Sequence, residues 1–216
     1  ITQGTLAAGT NYDLTYAGNN FAITKRAITV TANAGQTKIY GEADPTLTYQ
    51  ITTGNLVTGD AFTGKLSRAT GEAVNTYAIT QGTLSIGTNY ELTYAGNNFA
   101  ITKRAITVTA NAGQTKVYGE ADPIFTYQIT TGNLVTGDGF TGALSRAAGD
   151  AVNTYVITQG TLAAGTNYEL NYIANNFSIT KRAITVTADA GQTKVYGEAD
   201  PIFTHQVTTG SLGTGD

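Results

Sequence analysis

The chain reads as an all-β protein, a tandem array of small Ig-like β-sandwich domains joined without linkers, and three observations predict this. Lys38-Ile39-Tyr40-Gly41-Glu42-Ala43-Asp44-Pro45 returns at Lys116–Pro123 and again at Lys194–Pro201, two equal steps of 78 residues. Apolar and threonine-rich positions alternate over short runs, the period of a half-buried strand. Turn residues interrupt these runs repeatedly, and no long interval keeps a helical period. A β-grasp-like unit is the alternative reading of the same pattern.

The period divides the chain into four segments. Residues 1–26 are the C-terminal part of a repeat, 27–104 and 105–182 are complete repeats, and 183–216 is the N-terminal part of another. The segment boundaries and the absence of a leader at Ile1 predict a window on a longer array.

Within the first complete repeat the elements follow in order. Ile28, Val30 and Ala32 alternate with Thr29 and Thr31, which predicts the first strand with its even positions inward. Lys38 to Tyr40 adds a short strand before the turn Gly41 to Pro45. Leu47, Tyr49 and Ile51 predict the next strand, and Phe62, Gly64 and Leu66 the one after. Tyr77 and Ile79, then Tyr90, Leu92 and Tyr94, then Phe99 and Ile101 complete the set, separated by clusters such as Ala69 to Gly71, Ile86 to Asn89 and Gly96 to Asn98. The second repeat differs from the first at 14 of 78 positions and keeps this phase: Leu47 becomes Phe125, Ile39 becomes Val117, and outward Lys65 becomes Ala143.

The junction between repeats carries no Gly, Pro or Ser tract, so the flexible-linker regime does not apply. Inward parity flips from odd at Phe99 and Ile101 to even at Ile106 and Val108, so one strand ends and the next begins within about two residues. Strands of roughly six to ten residues near the long axis would advance the chain by roughly 35 to 45 Å per repeat.

Composition limits the function classes. Charged residues make up 12% of the chain, the net charge is −3, and the few Lys and Arg are dispersed, which argues against nucleic acid as a partner. No apolar run approaches the roughly 18 residues of a membrane span. There is no cysteine, so neither disulfides nor thiolate metal sites contribute, and each repeat depends on its core.

Few residues suggest chemistry. Glu42 and Asp44, with Glu120 and Asp122 in the second copy, are the candidates for calcium, with Asp60 or Glu72 as further oxygens. Their spacing matches no dense Asp/Asn loop, and the preferred reading is structural: Gly41 permits the turn, Asp44 accepts bonds from nearby amides, and Pro45 stiffens the chain. No other cofactor is indicated. His205 stands where the other copies have Tyr49 and Tyr127, which argues against a general base. A carboxylate pair through Glu91 and Glu42 meets Asp13 in the first partial copy, and no nucleophile has a partnered base, so an enzyme is not expected. Most tyrosines fall on inward positions; Tyr40, Tyr118 and Tyr196, the last following Val195, sit beside a turn and are the candidates for contact with a glycan.

The ordered set of Ala-Ile-Thr-Val-Thr-Ala from Ala105, Lys-Val-Tyr-Gly-Glu-Ala-Asp-Pro from Lys116, Gly-Asn-Leu-Val-Thr-Gly-Asp from Gly132 and Asn-Tyr-Glu-Leu from Asn167 resembles the MBG-type repeats, including their Tyr-Gly variant, over the whole chain. That resemblance implies an exported, all-β, tandemly repeated module of bacterial surface or secreted adhesin-like proteins, with no catalytic residues to carry over. Two functions follow as expectations. One is a stiff stalk or extracellular fibre whose partners are neighbouring repeats, with self-association into filaments through threonine-rich edges. The other is a module that grips surface glycan or matrix by multivalency.

Overall fold

A computed structural model describes residues 1–213; the last three residues of the fourth segment lie outside the described residues. The described chain is all strand and turn, and it divides into two compact units, one ending at Thr102 and the next beginning at Lys103. The first unit contains β1 (Arg26–Ala32), β2 (Gln36–Ile39), β3 (Tyr49–Thr53), β4 (Ser67–Arg68), β5 (Asn75–Thr80), β6 (Tyr90–Ala95) and β7 (Asn98–Thr102). The second repeats the set as β8 (Arg104–Ala110), β9 (Gln114–Val117), β10 (Tyr127–Thr131), β11 (Ser145–Arg146), β12 (Thr154–Thr158), β13 (Tyr168–Ile173) and β14 (Asn175–Thr180). It adds a hairpin of β15 (Thr185–Ala188) and β16 (His205–Thr209).

Each repeat is two sheets around one core. In the first, β3-β1-β6 forms a three-stranded sheet and β4-β5-β7-β2 a four-stranded one. Val30 and Ala32 from the first sheet meet Ile79, Phe99 and Ile101 from the second, with Leu66 and Leu84 closing the cluster. Val108, Ala110, Ile157, Phe177, Ile179, Leu144 and Leu162 do the same in the second repeat. β-Branched residues and alternating burial explain why these segments are strands: in β1, Ile28, Val30 and Ala32 are buried while Thr29 and Thr31 are only half-buried. A grasp unit would lay a helix across its sheet, and among the described residues there is none.

The topology gives the repeat a direction. β1 pairs parallel with β6 from Arg26–Tyr90 to Thr31–Ala95, and β2 pairs parallel with β7 from Gln36–Phe99 to Ile39–Thr102. The pairing offset is 64 residues in the first run and 63 in the second, a slip of one residue where both arms change sheet together. Backbone bonds extend the pairing at both ends, from Arg26 N to Asn89 O at 2.9 Å and from Tyr40 N to Thr102 O at 2.9 Å. The path of β5 shows that neither arm doubles back at this change. Beyond Ile79 the chain stays paired with the incoming strand through Ser67–Thr80, Lys65–Thr83 and Thr63–Ser85, and it then turns at Gly87, whose carbonyl accepts from Tyr90 N. β6 and β7 retrace that course, β7 running antiparallel to β5. The first and last arms of a repeat therefore run side by side in one direction, with a bend at Ala34 between β1 and β2.

Several expectations are corrected. The predicted strand through Phe62, Gly64 and Leu66 is not continuous: only Ser67–Arg68 is a strand, with an isolated bridge at Thr63–Ser85. Gly64 lies at φ +72°, and a Cβ there would stand 2.0 Å from the Thr83 carbonyl oxygen, so the chain bulges while Phe62 and Leu66 still face the core. The short strand expected near Lys38 is present as β2, displaced to Gln36–Ile39. Ile51, expected inward, is 39% exposed on the edge strand β3. In residues 1–25 no strand forms, because no β1 or β2 lies alongside.

Candidate functional site

The most elaborated polar region of each repeat is a charge cluster beside the Tyr-Gly turn, and it begins with lysine on a strand. Lys38 takes the inward phase of β2 and is buried in a core of otherwise apolar side chains. An ammonium in that position requires an acceptor. Gly41, at φ +82°, turns the chain sharply enough for Asp44 to return to it, and the Lys38 Nζ to Asp44 Oδ1 distance is 2.7 Å. Lys38 also pairs with Glu72.

Arg68 on β4 completes the cluster from the opposite edge of the sheet. Its Nε donates to Asp44 Oδ2 at 2.6 Å and its Nη2 to Asp44 Oδ1 at 3.0 Å, a bidentate pair. Nη2 also bonds Glu72 Oε1 at 2.5 Å, and Nη1 donates to the carbonyls of Ala69 and Gly71. The guanidinium carbon lies 5.2 Å from the Tyr77 ring centroid and 5.4 Å from that of Phe99, within cation–π range. The second repeat reproduces this with Lys116, Asp122, Arg146 and Asp150, the guanidinium over Tyr155 and Phe177. Asp150 for Glu72 is a shorter carboxylate, and its distance to Lys116 opens to 3.7 Å.

Charge follows geometry. The Arg68 guanidinium holds the Asp44 carboxyl below the usual range, with Lys38 adding to it against the opposing effect of burial. Arg146 does the same for Asp122. Hydrogen bonding from Lys38 lowers Glu72. Burial pulls the Lys38 ammonium down, but Asp44 and Glu72 outweigh it and leave its pKa raised. All four groups are thus held in their charged forms.

The sequence-predicted residues fall as follows. Asp44 and Asp122 give their carboxylates to the lysine and arginine rather than to backbone amides as expected. Glu42 is exposed, and Glu120 accepts from Val117 N at 3.2 Å. Glu72 joins Asp44 through the shared cations, whereas Asp60 lies apart and accepts the Tyr90 hydroxyl at 2.6 Å. Among the described residues no three acidic or imidazole groups gather as a metal-ion cluster. Tyr40 and Tyr118 pack against the cores, Tyr196 in the partial repeat is fully exposed, and His205 is exposed on β16. Sequence reading missed Lys38, Arg68 and their second-copy equivalents as cluster members. One signal was present: among 14 differences between copies, Lys65 is lost to alanine while Lys38 and Arg68 stay and Glu72 changes only to Asp150.

The Tyr-Gly pair has a second contact within the second unit. Arg182, at the end of the second repeat, donates Nε to the Tyr118 carbonyl at 3.0 Å and Nη1 to Ser211 Oγ at 3.0 Å. Gly119 makes room for it: at φ +82°, a Cβ there would meet Arg182 Nη2 at 3.1 Å.

The family model for the MBG domain (YGX type) matches residues 28–100 and 106–178. The chain belongs to the MBG domain family. No curated protein and no solved structure matches it. In these MBG repeats the Tyr-Gly-X triplet is Tyr40-Gly41-Glu42 and Tyr118-Gly119-Glu120. Its glycine makes the turn that brings the following aspartate back onto the buried lysine and arginine. MBG repeats are found in surface proteins, and no helix among the described residues is long and apolar enough to cross a membrane.

Proposed function

We propose that these MBG repeats are the structural element of a bacterial cell-surface or extracellular adhesin-like protein, extending a stiff stalk that carries other parts away from the surface. The observation that supports this most is the path of the chain. It enters a repeat at Arg26, leaves at Thr102 at the other end of two parallel arms, and passes a single residue, Lys103, before the next strand. Each repeat therefore adds length instead of returning the chain to where it began. Arg182, at the end of the second repeat, bonds both the Tyr118 carbonyl of that repeat and Ser211 of the segment that follows, which supports stiffness at that junction. The polar side chains that converge in a repeat satisfy one another, as a structural role requires.

Electron microscopy of a chain with several more repeats tests this. The expected result is thin threads one domain wide, lengthening by roughly 35 to 45 Å with each added repeat. Compact or randomly bent particles would overturn the stalk. Wider ordered filaments would assign self-association to the repeats as well.

A further inference from the structure

We propose that each repeat is a mechanical clamp, in which tension applied through the chain loads the parallel arms β1-β2 and β6-β7 in shear. The argument needs only the topology of one repeat and holds whether or not the array is a surface stalk. Tension reaches the repeat at Arg26, the N-terminal end of β1, and leaves it at Thr102, the C-terminal end of β7. The arms are parallel, so these two points pull them past each other along their length, not apart.

Hydrogen bonds between strands lie across the pull in this geometry. Six registered pairs join β1 to β6 and four join β2 to β7, so an advance of either arm has to break a whole run together. An antiparallel hairpin pulled open at one end would instead lose its bonds one pair at a time.

Side chains reinforce the ladder where it is weakest, at the change of sheet. Asn97 Nδ2 donates to the Ala32 carbonyl at 3.4 Å, and its own carbonyl accepts from Ile79 N at 2.7 Å. Asn175 makes the same side-chain contact with Ala110. At the exit, Thr102 Oγ1 donates to the Lys38 carbonyl at 3.2 Å, and Thr180 does so to Lys116. Lys38 is itself tied to Asp44 and, through Asp44, to Arg68 on the far edge of the same sheet, so β2 is anchored against sliding. The second repeat has the same pairings, from Arg104–Tyr168 to Val117–Thr180.

Single-molecule stretching of the full chain by its two ends tests the clamp. Each complete repeat should give one abrupt step that releases about 240 Å, its extended length less its folded length. The comparison that decides is direction. The chain has no cysteine, so Thr29→Cys with Thr93→Cys places handles on registered, outward-facing partners across β1 and β6 and pulls the arms directly apart. At one loading rate, the rupture force across these handles should be several-fold lower than the force along the chain. The same variant pulled by its ends with thiols reduced checks that it folds, by giving two full steps. The pair Thr107→Cys and Asn171→Cys repeats the comparison in the second copy. Equal forces in the two directions, or end-to-end extension without discrete steps, would overturn the proposal.

Discussion

Arg68 and Arg146 combine a buried guanidinium, two aromatic faces and a bidentate carboxylate, so their removal loses packing and leaves an aspartate without its main counterion. A fully buried pair broken this way costs about 3–5 kcal/mol. Asp44 is 40% exposed, so solvent takes up part of the loss, and Arg68→Met with Arg146→Met is expected to destabilise each repeat by about 2–3 kcal/mol in urea denaturation. Glu72→Gln is expected to cost no more than about 1 kcal/mol, since that carboxylate is 66% exposed. The same groups set the pH response. Asp44 and Asp122 are lowered in the folded state, so their contribution is complete above about pH 4 and is lost as pH falls through their depressed values. Lys38 is raised by its carboxylates, and Tyr94 and Tyr172 are raised by burial. Their contributions are complete below about pH 10 and are lost as pH rises through the raised values. Thermal melts across pH should show both limbs, and Asp44→Asn with Asp122→Asn should lower the plateau and flatten the acid limb.

At the scale of elements, the segment from Phe62 to Arg68 separates what alternation predicts from what a strand requires. Phe62 and Leu66 face the core as their phase demands, yet Gly64 breaks the ladder because the backbone of Thr83 comes too close for any side chain. Gly64→Ala and Gly142→Ala each combine a left-handed backbone with a clash near 2 Å, and each is expected to cost more than about 2 kcal/mol in the same denaturation assay. The charge cluster was only partly legible for a similar reason. The Tyr-Gly-Glu-Ala-Asp-Pro turn stands out in the sequence, and its aspartate was identified. Arg68 follows Asp44 by 24 residues and belongs to a two-residue strand, too short to show a phase, so its arrival over Phe99 depends on the sheet order. The burial of Lys38 was not legible because β2, Gln36-Thr37-Lys38-Ile39, carries no apolar alternation of its own.

Across the whole molecule the chain contains its own control. Residues 1–26 differ from 79–104 at only three positions, yet the first stretch up to Lys25 holds no strand while the second forms the end of β5 and all of β6 and β7. Phe21 and Ile23 are exposed where Phe99 and Ile101 are buried. Hydrogen exchange read by mass spectrometry on this chain should find amides of Tyr12 to Thr24 exchanging within the shortest labelling time and those of Tyr90 to Thr102 strongly protected. Equal protection of the two stretches would contradict the assignment of their stability to pairing with the front of the same repeat.

The sequence by itself determined the period, the all-β class, the inward phase of most strands and the linkerless junctions. These are local properties, written in the spacing of apolar residues and turns, and the 78-residue repetition displays them more than once. Only the tertiary structure decided that the two ends of a repeat run parallel and side by side, that both change sheet together, and that Lys38 and Arg68 share Asp44. The parallel pairings join residues 64 and 63 positions apart, and Asp44 lies 6 residues after Lys38 and 24 before Arg68. The partner of an outer strand in a sheet is selected by the burial of the entire core, and no local pattern specifies it.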